Sequence, residues 1–167
     1  MPKDQPSIPA SPQPSLPWRF GVILLGGLTA GLTMLGIGIA FNSLEGAFPA
    51  IQWEYANKAI FRDWPGWTES YFRIHPLWFG FAFALGFRLI GRDQFSAGWG
   101  HAASFGALYG GLVFIVGSLP VFALLYASFR VSAELILVSW VARNLTQYVI
   151  TGVCLGLLTR ACLPRNC

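Results

Sequence analysis

Arg143, Asn144, Gln147, Tyr148 and Thr151 place hydrogen-bonding side chains inside an otherwise apolar stretch that runs roughly from Ser132 to Leu158. On a helix, Arg143, Asn144, Gln147, Thr151 and Trp140 fall within one arc of about 100 degrees, so they form a polar stripe. Three chemistries are open to such a stripe. Asn144, Gln147 and Thr151 can bond across helices while Arg143 pairs with a carboxylate or with helix carbonyls, as interhelical glue. The planar guanidinium can instead hold an anionic headgroup, substrate or cofactor, because its fork of N–H donors matches carboxylate and phosphate. Or Arg143 is satisfied only by another subunit. An arginine at the centre of a membrane helix costs about 2.5 kcal/mol or more, so the stripe is expected to face a bundle interior, a partner or a wet cavity. Within the same helix the nearest carboxylate is Glu134, which lies about 13 Å away along the axis and on the opposite side.

The remaining reactive residue types give no constellation. His75 and His101 fall at opposite ends of different segments, with no H-E-x-x-H or comparable ligand spacing, so neither a metal nor a haem is expected. His75, just before Pro76, is read as helping to begin a helix. Cys154, Cys162 and Cys167 lack C-x-x-C spacing and are expected to stay reduced on a cytoplasmic side. There is no serine nucleophile elbow, phosphate loop or paired-carboxylate site in the apolar segments. Proton translocation would use an intramembrane carboxylate, and Glu134, near the outer boundary, is the one candidate. The reading is therefore non-enzymatic, with no cofactor.

The elements that must position the stripe are membrane helices. The chain has 167 residues, of which 54% are hydrophobic and 11% charged, far from the ~25% charged residues of soluble domains. Phe20 to Phe41 contains no charge and is about long enough for one helix to cross a bilayer. Three more apolar segments follow, roughly Pro76 to Ile90, Trp99 to Tyr126 and Ser132 to Leu158. The fold class expected is all-α: a small bundle of four transmembrane helices, residues 20–160, with an interfacial amphipathic segment, 42–75, between the first and second.

Within those segments, Pro76 suits the first turn of a short second span, where its missing N–H is no loss. Pro120 should kink or tilt the long third span. In lipid, apolar helices associate through close backbone approach at small residues. The sequence offers Gly27 and Gly31, Ala82 and Gly86, Gly106 and Gly110, and Gly152 and Gly156, one small-xxx-small pair per span.

The outer segment contains Trp53, Tyr55, Trp64, Trp67 and Tyr71, residues that favour the headgroup level, so it should lie along the membrane surface. A short interfacial helix is expected over Ala50 to Phe61, with Ile51, Tyr55 and Ala59 on one face, followed by a turn at Asp63-Trp64-Pro65-Gly66. Residues 1–19, rich in Pro, Ser and Gln, form a disordered tail, and 161–167 a second, short one. Lys3, Arg19, Arg88, Arg92, Arg160 and Arg165 then share the inner side, placing both termini in the cytoplasm of a multi-pass protein of a bacterial-type cytoplasmic membrane. The formal charge of +4 is accounted for in this way and does not call for nucleic acid.

Two functions follow from these features. The first is a non-enzymatic accessory or structural element of a membrane assembly, whose partners are the bilayer and a membrane protein or further copies of the chain. The alternative is a small transporter or channel component that binds an anionic solute or lipid near Arg143. A membrane enzyme acting on lipid or quinone ranks last, since no acid and base are placed together.

Overall fold

A computed structural model of the chain describes residues 16–57, 66–91, 98–128 and 133–162, and every regular element among them is a helix. They are α1 (Leu16–Gly46), α2 (Pro49–Ala56), α3 (Gly66–Ile90), α4 (Trp99–Val113), a π-helical turn (Phe114–Ser118), α5 (Leu119–Ser128) and α6 (Glu134–Cys162). Among the described residues, three helices are long and apolar enough to cross a membrane: Gly21–Gly46, Trp99–Ala127 and Glu134–Cys162. The four crossings expected from the apolar runs are met by three helices on that measure, and α3 is the one outside it.

The helices run up and down around a shared core. Backbone contact between Gly31 and Gly80 sets α1 against α3, Gly106 against Gly152 sets α4 against α6, and Gln147 against Met34 joins α6 to α1. A methyl group at Gly106 would collide with the Gly152 carbonyl, and one at Gly156 with that of Ala102. The small pairs Gly27/Gly31, Gly106/Gly110 and Gly152/Gly156 therefore lie where neighbouring helices touch, as close approach in lipid requires. In α3 the expected pair is corrected. Ala82 is exposed, and Gly80 is the residue against the α1 backbone.

The gap between α3 and the other two long helices is filled with rings instead. Phe83 and Phe87 meet Tyr109 edge-on at centroid distances of 4.8 and 5.3 Å, and Phe79 stacks on Tyr148 at 5.4 Å. The Tyr109 hydroxyl donates to the Phe83 carbonyl at 3.0 Å, so burying the phenol leaves no orphan donor.

Two prolines act differently from one another. Pro76 lies inside α3, which starts at Gly66, so it does not open a helix; nor does His75, whose ring stacks on Phe79 at 5.7 Å. The apolar run begins at Pro76, but the helix begins earlier, in the aromatic and polar residues that precede it. Pro120 does mark an irregularity. Leu119 N–H bonds to the Phe114 carbonyl in the π pattern, one residue wider than an α turn, immediately before the proline that can donate nothing.

The outer boundaries also shift. Leu16 to Arg19, assigned to the tail, open α1, and Cys162 closes α6. Met1 to Ser15, the Asp63-Trp64-Pro65 part of the turn, and Cys167 lie outside the described residues. Asn42–Gly46 belongs to α1 and Gly66–His75 to α3, so the segment between the first two long helices is shorter than 42–75. Its helix, α2, ends at Ala56 where the spacing carried it to Phe61. Cys154 and Cys162 are free thiols.

Candidate functional site: a polar cluster where α1, α2 and α6 meet

α1 ends and α6 begins at the same end of the bundle, and α2 connects them. The chain leaves α1 through Ala47 and Phe48, whose N–H groups bond to the Leu44 and Glu45 carbonyls at 3.0 and 3.1 Å. Pro49 then opens α2 in the position where a helix has no use for an N–H. This short helix turns Glu54 and Tyr55 toward α6 and leaves Trp53 68% exposed.

Glu54 performs the first of the site's tasks. The first turn of any helix leaves N–H groups without intrahelical acceptors, and a side chain just before it normally accepts from them. Here the residue before α6 is Ala133, which has no side-chain acceptor. The Glu54 carboxylate takes over, accepting from Ile136 N–H at 2.9 Å and from Leu135 N–H at 3.4 Å. Its negative charge also meets the positive end of the α6 dipole. Glu54 is 8% exposed, so its lone pairs are satisfied by the protein in place of water.

Glu45, 5% exposed, is the second buried carboxylate. Ser139 Oγ donates to one of its oxygens through a short hydrogen bond, and the Tyr55 hydroxyl donates to the other at 3.3 Å. Trp140 Nε1–H in turn donates to the Tyr55 oxygen at 2.7 Å. The result is a directed chain from indole to phenol to carboxylate that ties α6 to α2 and α2 to α1. Burial pushes the Tyr55 phenol above its ordinary range; the Trp140 bond and the Arg143 charge act against that, and the Glu45 charge reinforces it. The phenol therefore serves as a donor to Glu45.

Arg143 lies one turn further along α6. Its Nη1 donates to Asn42 Oδ1 at 2.9 Å. Among the described residues the guanidinium has no carboxylate within ion-pairing distance; Glu45, three residues from Asn42, is engaged by Ser139 and Tyr55. The neighbouring candidates go elsewhere. Asn144 Nδ2 turns back to the Trp140 carbonyl of its own helix at 2.9 Å, and Gln147 Nε2 crosses to the Met34 carbonyl of α1 at 2.7 Å, beside Gly38.

Tyr148 is buried on the other side, against Phe79 and Phe83, where it accepts from Ser118 Oγ in the π turn at 3.0 Å. Thr151 is fully buried, and its hydroxyl has no partner among the described residues. The candidate residues thus part. Trp140, Arg143 and Gln147 of the stripe address α1 and α2, whereas Tyr148, outside its arc, faces the aromatic core.

Glu134, the carboxylate singled out from the sequence, is exposed in the first turn of α6. The two carboxylates buried among the described residues, Glu45 and Glu54, read in sequence as ordinary charges of an outer segment. Nothing in the sequence signalled Glu54, because Ser132, a residue type that caps helices, stands at the start of the same apolar run. Among the described residues no group of three His, Cys, Asp or Glu side chains is arranged to hold a metal ion.

The chemistry this arrangement supplies is hydrogen-bond donors for two buried carboxylates and alignment of helices at one end of the bundle. No family model, no curated protein and no solved structure matches this chain.

Proposed function

We propose that the chain is a small, non-enzymatic integral membrane protein that serves as an accessory or structural element of a membrane assembly. The observation that carries this reading is the use made of its polar groups. Glu54 caps α6, Glu45 joins α1 to α2 and α6, and Gln147 bonds to the α1 backbone. Each of these groups is engaged in holding one helix to another, the arrangement suited to a scaffold whose shape is its contribution.

The outward face supports the same reading. In Trp99–Ala127, 17% of the most apolar stretch is buried, and Leu108, Val116 and Leu124 are each at least 69% exposed. Such a surface suits lipid or the flank of another membrane protein. In this proposal α3 is a fourth crossing, short in apolar length and assisted by Arg88 snorkelling at its end. α2 lies at the interface with Trp53 among the headgroups. Arg88 and Arg160 lie on the cytoplasmic side together with both termini.

Mass spectrometry of the tagged protein purified in mild detergent from its own membranes tests the assignment. A reproducible set of other membrane subunits is the expected result. Recovery of the chain alone or only with copies of itself overturns the accessory role.

A further inference from the structure

The geometry points to a phosphate-binding site at Arg143, formed with Asn42 at the edge of the α1–α6 seam and suited to the headgroup of a membrane phospholipid. This inference does not depend on the accessory role, because it rests on one side chain and its depth. A guanidinium carries five N–H donors. Among the described residues, Arg143 uses its Nη1 on Asn42 and makes no ion pair. Glu45, three residues from Asn42 on α1, accepts from Ser139 and Tyr55 and makes no ion pair with Arg143. Asn42 is exposed and Arg143 half-buried, so their hydrogen bond lies at the surface of the bundle.

Depth says what would meet that surface. From Arg143 to Arg160, α6 rises about 25 Å, and from Arg19 to Asn42, α1 rises about 34 Å. These lengths bracket a hydrocarbon core of about 30 Å. With the arginines at positions 19 and 160 at one interface, Arg143 and Asn42 fall at the other, at the level of lipid phosphates. Deeper on the same faces the helices expose Ile39, three residues before Asn42, and Ile150, seven after Arg143. A cationic fork above an apolar track matches a phosphodiester carried on acyl chains. Trp140 and Tyr55, just above, supply the amphipathic rings common at that level. The guanidinium fork favours a phosphate oxyanion, to which it can give two parallel bonds.

The test is native mass spectrometry of the full-length protein in detergent, titrated separately with phosphatidylglycerol, with a neutral diacylglycerol of the same chains, and with inorganic phosphate. The wild type is expected to retain phosphatidylglycerol and not diacylglycerol. Arg143→Gln should lower that retention about tenfold, the equivalent of one charged hydrogen bond. Arg143→Lys keeps the positive charge and folds with it, yet lacks the fork; it should also fall well below the wild type.

Equal retention by wild type and Arg143→Lys overturns a site built on the guanidinium. Retention of diacylglycerol as strong as that of phosphatidylglycerol overturns the phosphate assignment. Inorganic phosphate bound as tightly as the lipid keeps the oxyanion site and overturns its assignment to a headgroup. Should Arg143→Gln fail to fold, the Lys comparison decides.

Discussion

α6 makes two seams of opposite kinds, one with α4 and one with α1. Against α4 it presents Gly152 and Gly156, and the helix backbones touch; against α1 it presents Ser139, Arg143 and Gln147, and side chains bridge the gap. The glycine seam gains from dispersion and close approach and has no room for an added atom. The polar seam gains from hydrogen bonds in a medium where the alternative partners are few, and each bond is separable from the next. One seam should therefore fail abruptly when altered and the other by degrees.

The hardest test of that contrast is a side chain added at a glycine. Gly152→Val places atoms inside the Gly106 carbonyl, so α4 must move away, and a loss of about 3 kcal/mol or more is expected in detergent unfolding. Gly111→Val is the control, since nothing lies within 4 Å of its added Cβ, and it should be near neutral. Similar losses at both positions would remove the basis for calling the α4 contact a close-packed seam.

Glu54→Ala comes next. It strips the first turn of α6 of its acceptor, with an expected cost of about 1 to 2 kcal/mol. Amide exchange at Leu135 and Ile136 should accelerate while that of Gly152 stays slow. Uniform acceleration along α6 would mean that the two ends of the helix are not separable. Within the polar seam, Gln147→Leu removes one bond to the Met34 carbonyl and should cost about 0.6 kcal/mol, the usual worth of such a bond in a membrane protein.

The smallest effect is a pH dependence. Because the folded state holds the Tyr55 proton more tightly than the unfolded chain does, the phenol's contribution is complete below its unfolded pKa of about 10 and is lost as pH rises through the higher folded value. Melting temperatures of wild type and Tyr55→Phe should therefore converge or cross above about pH 10, with the wild type declining faster. Parallel declines would show that the phenol is not held as the Trp140 and Glu45 contacts imply.

The glycine seam was largely legible from the sequence, because four-residue spacing of small side chains is a local pattern and lipid gives it a clear use. Gly106, Gly110, Gly152 and Gly156 were all identified in this way, whereas Gly80 was missed because Ala82 and Gly86 fitted the same pattern nearby. The polar seam was legible only on its α6 side. Arg143 and Gln147 stood out as polar residues in an apolar run, and Thr151 shared their arc in helical projection, whereas Tyr148 lay beyond its edge. Their neighbours separate them: rings from α3 and a serine from the π turn receive Tyr148, while α1 receives Gln147. Glu45 and Glu54 were hidden for a different reason. Beside aromatic residues and outside the longest apolar runs, a carboxylate looks like one that water will solvate.

The sequence by itself determined that this is an all-helical chain with membrane-length apolar helices, that α6 carries a polar stripe, and which small residues would let helices meet. These follow from composition and from periodicity within a single segment. The tertiary structure alone decided which helices pair, that α3 begins in the aromatic residues before Pro76, and that Glu54 caps a helix starting 80 residues later. The physical reason is that a helix end needs an acceptor and a buried carboxylate needs donors, but neither requirement names the partner; only the meeting of α1, α2 and α6 in space supplies it.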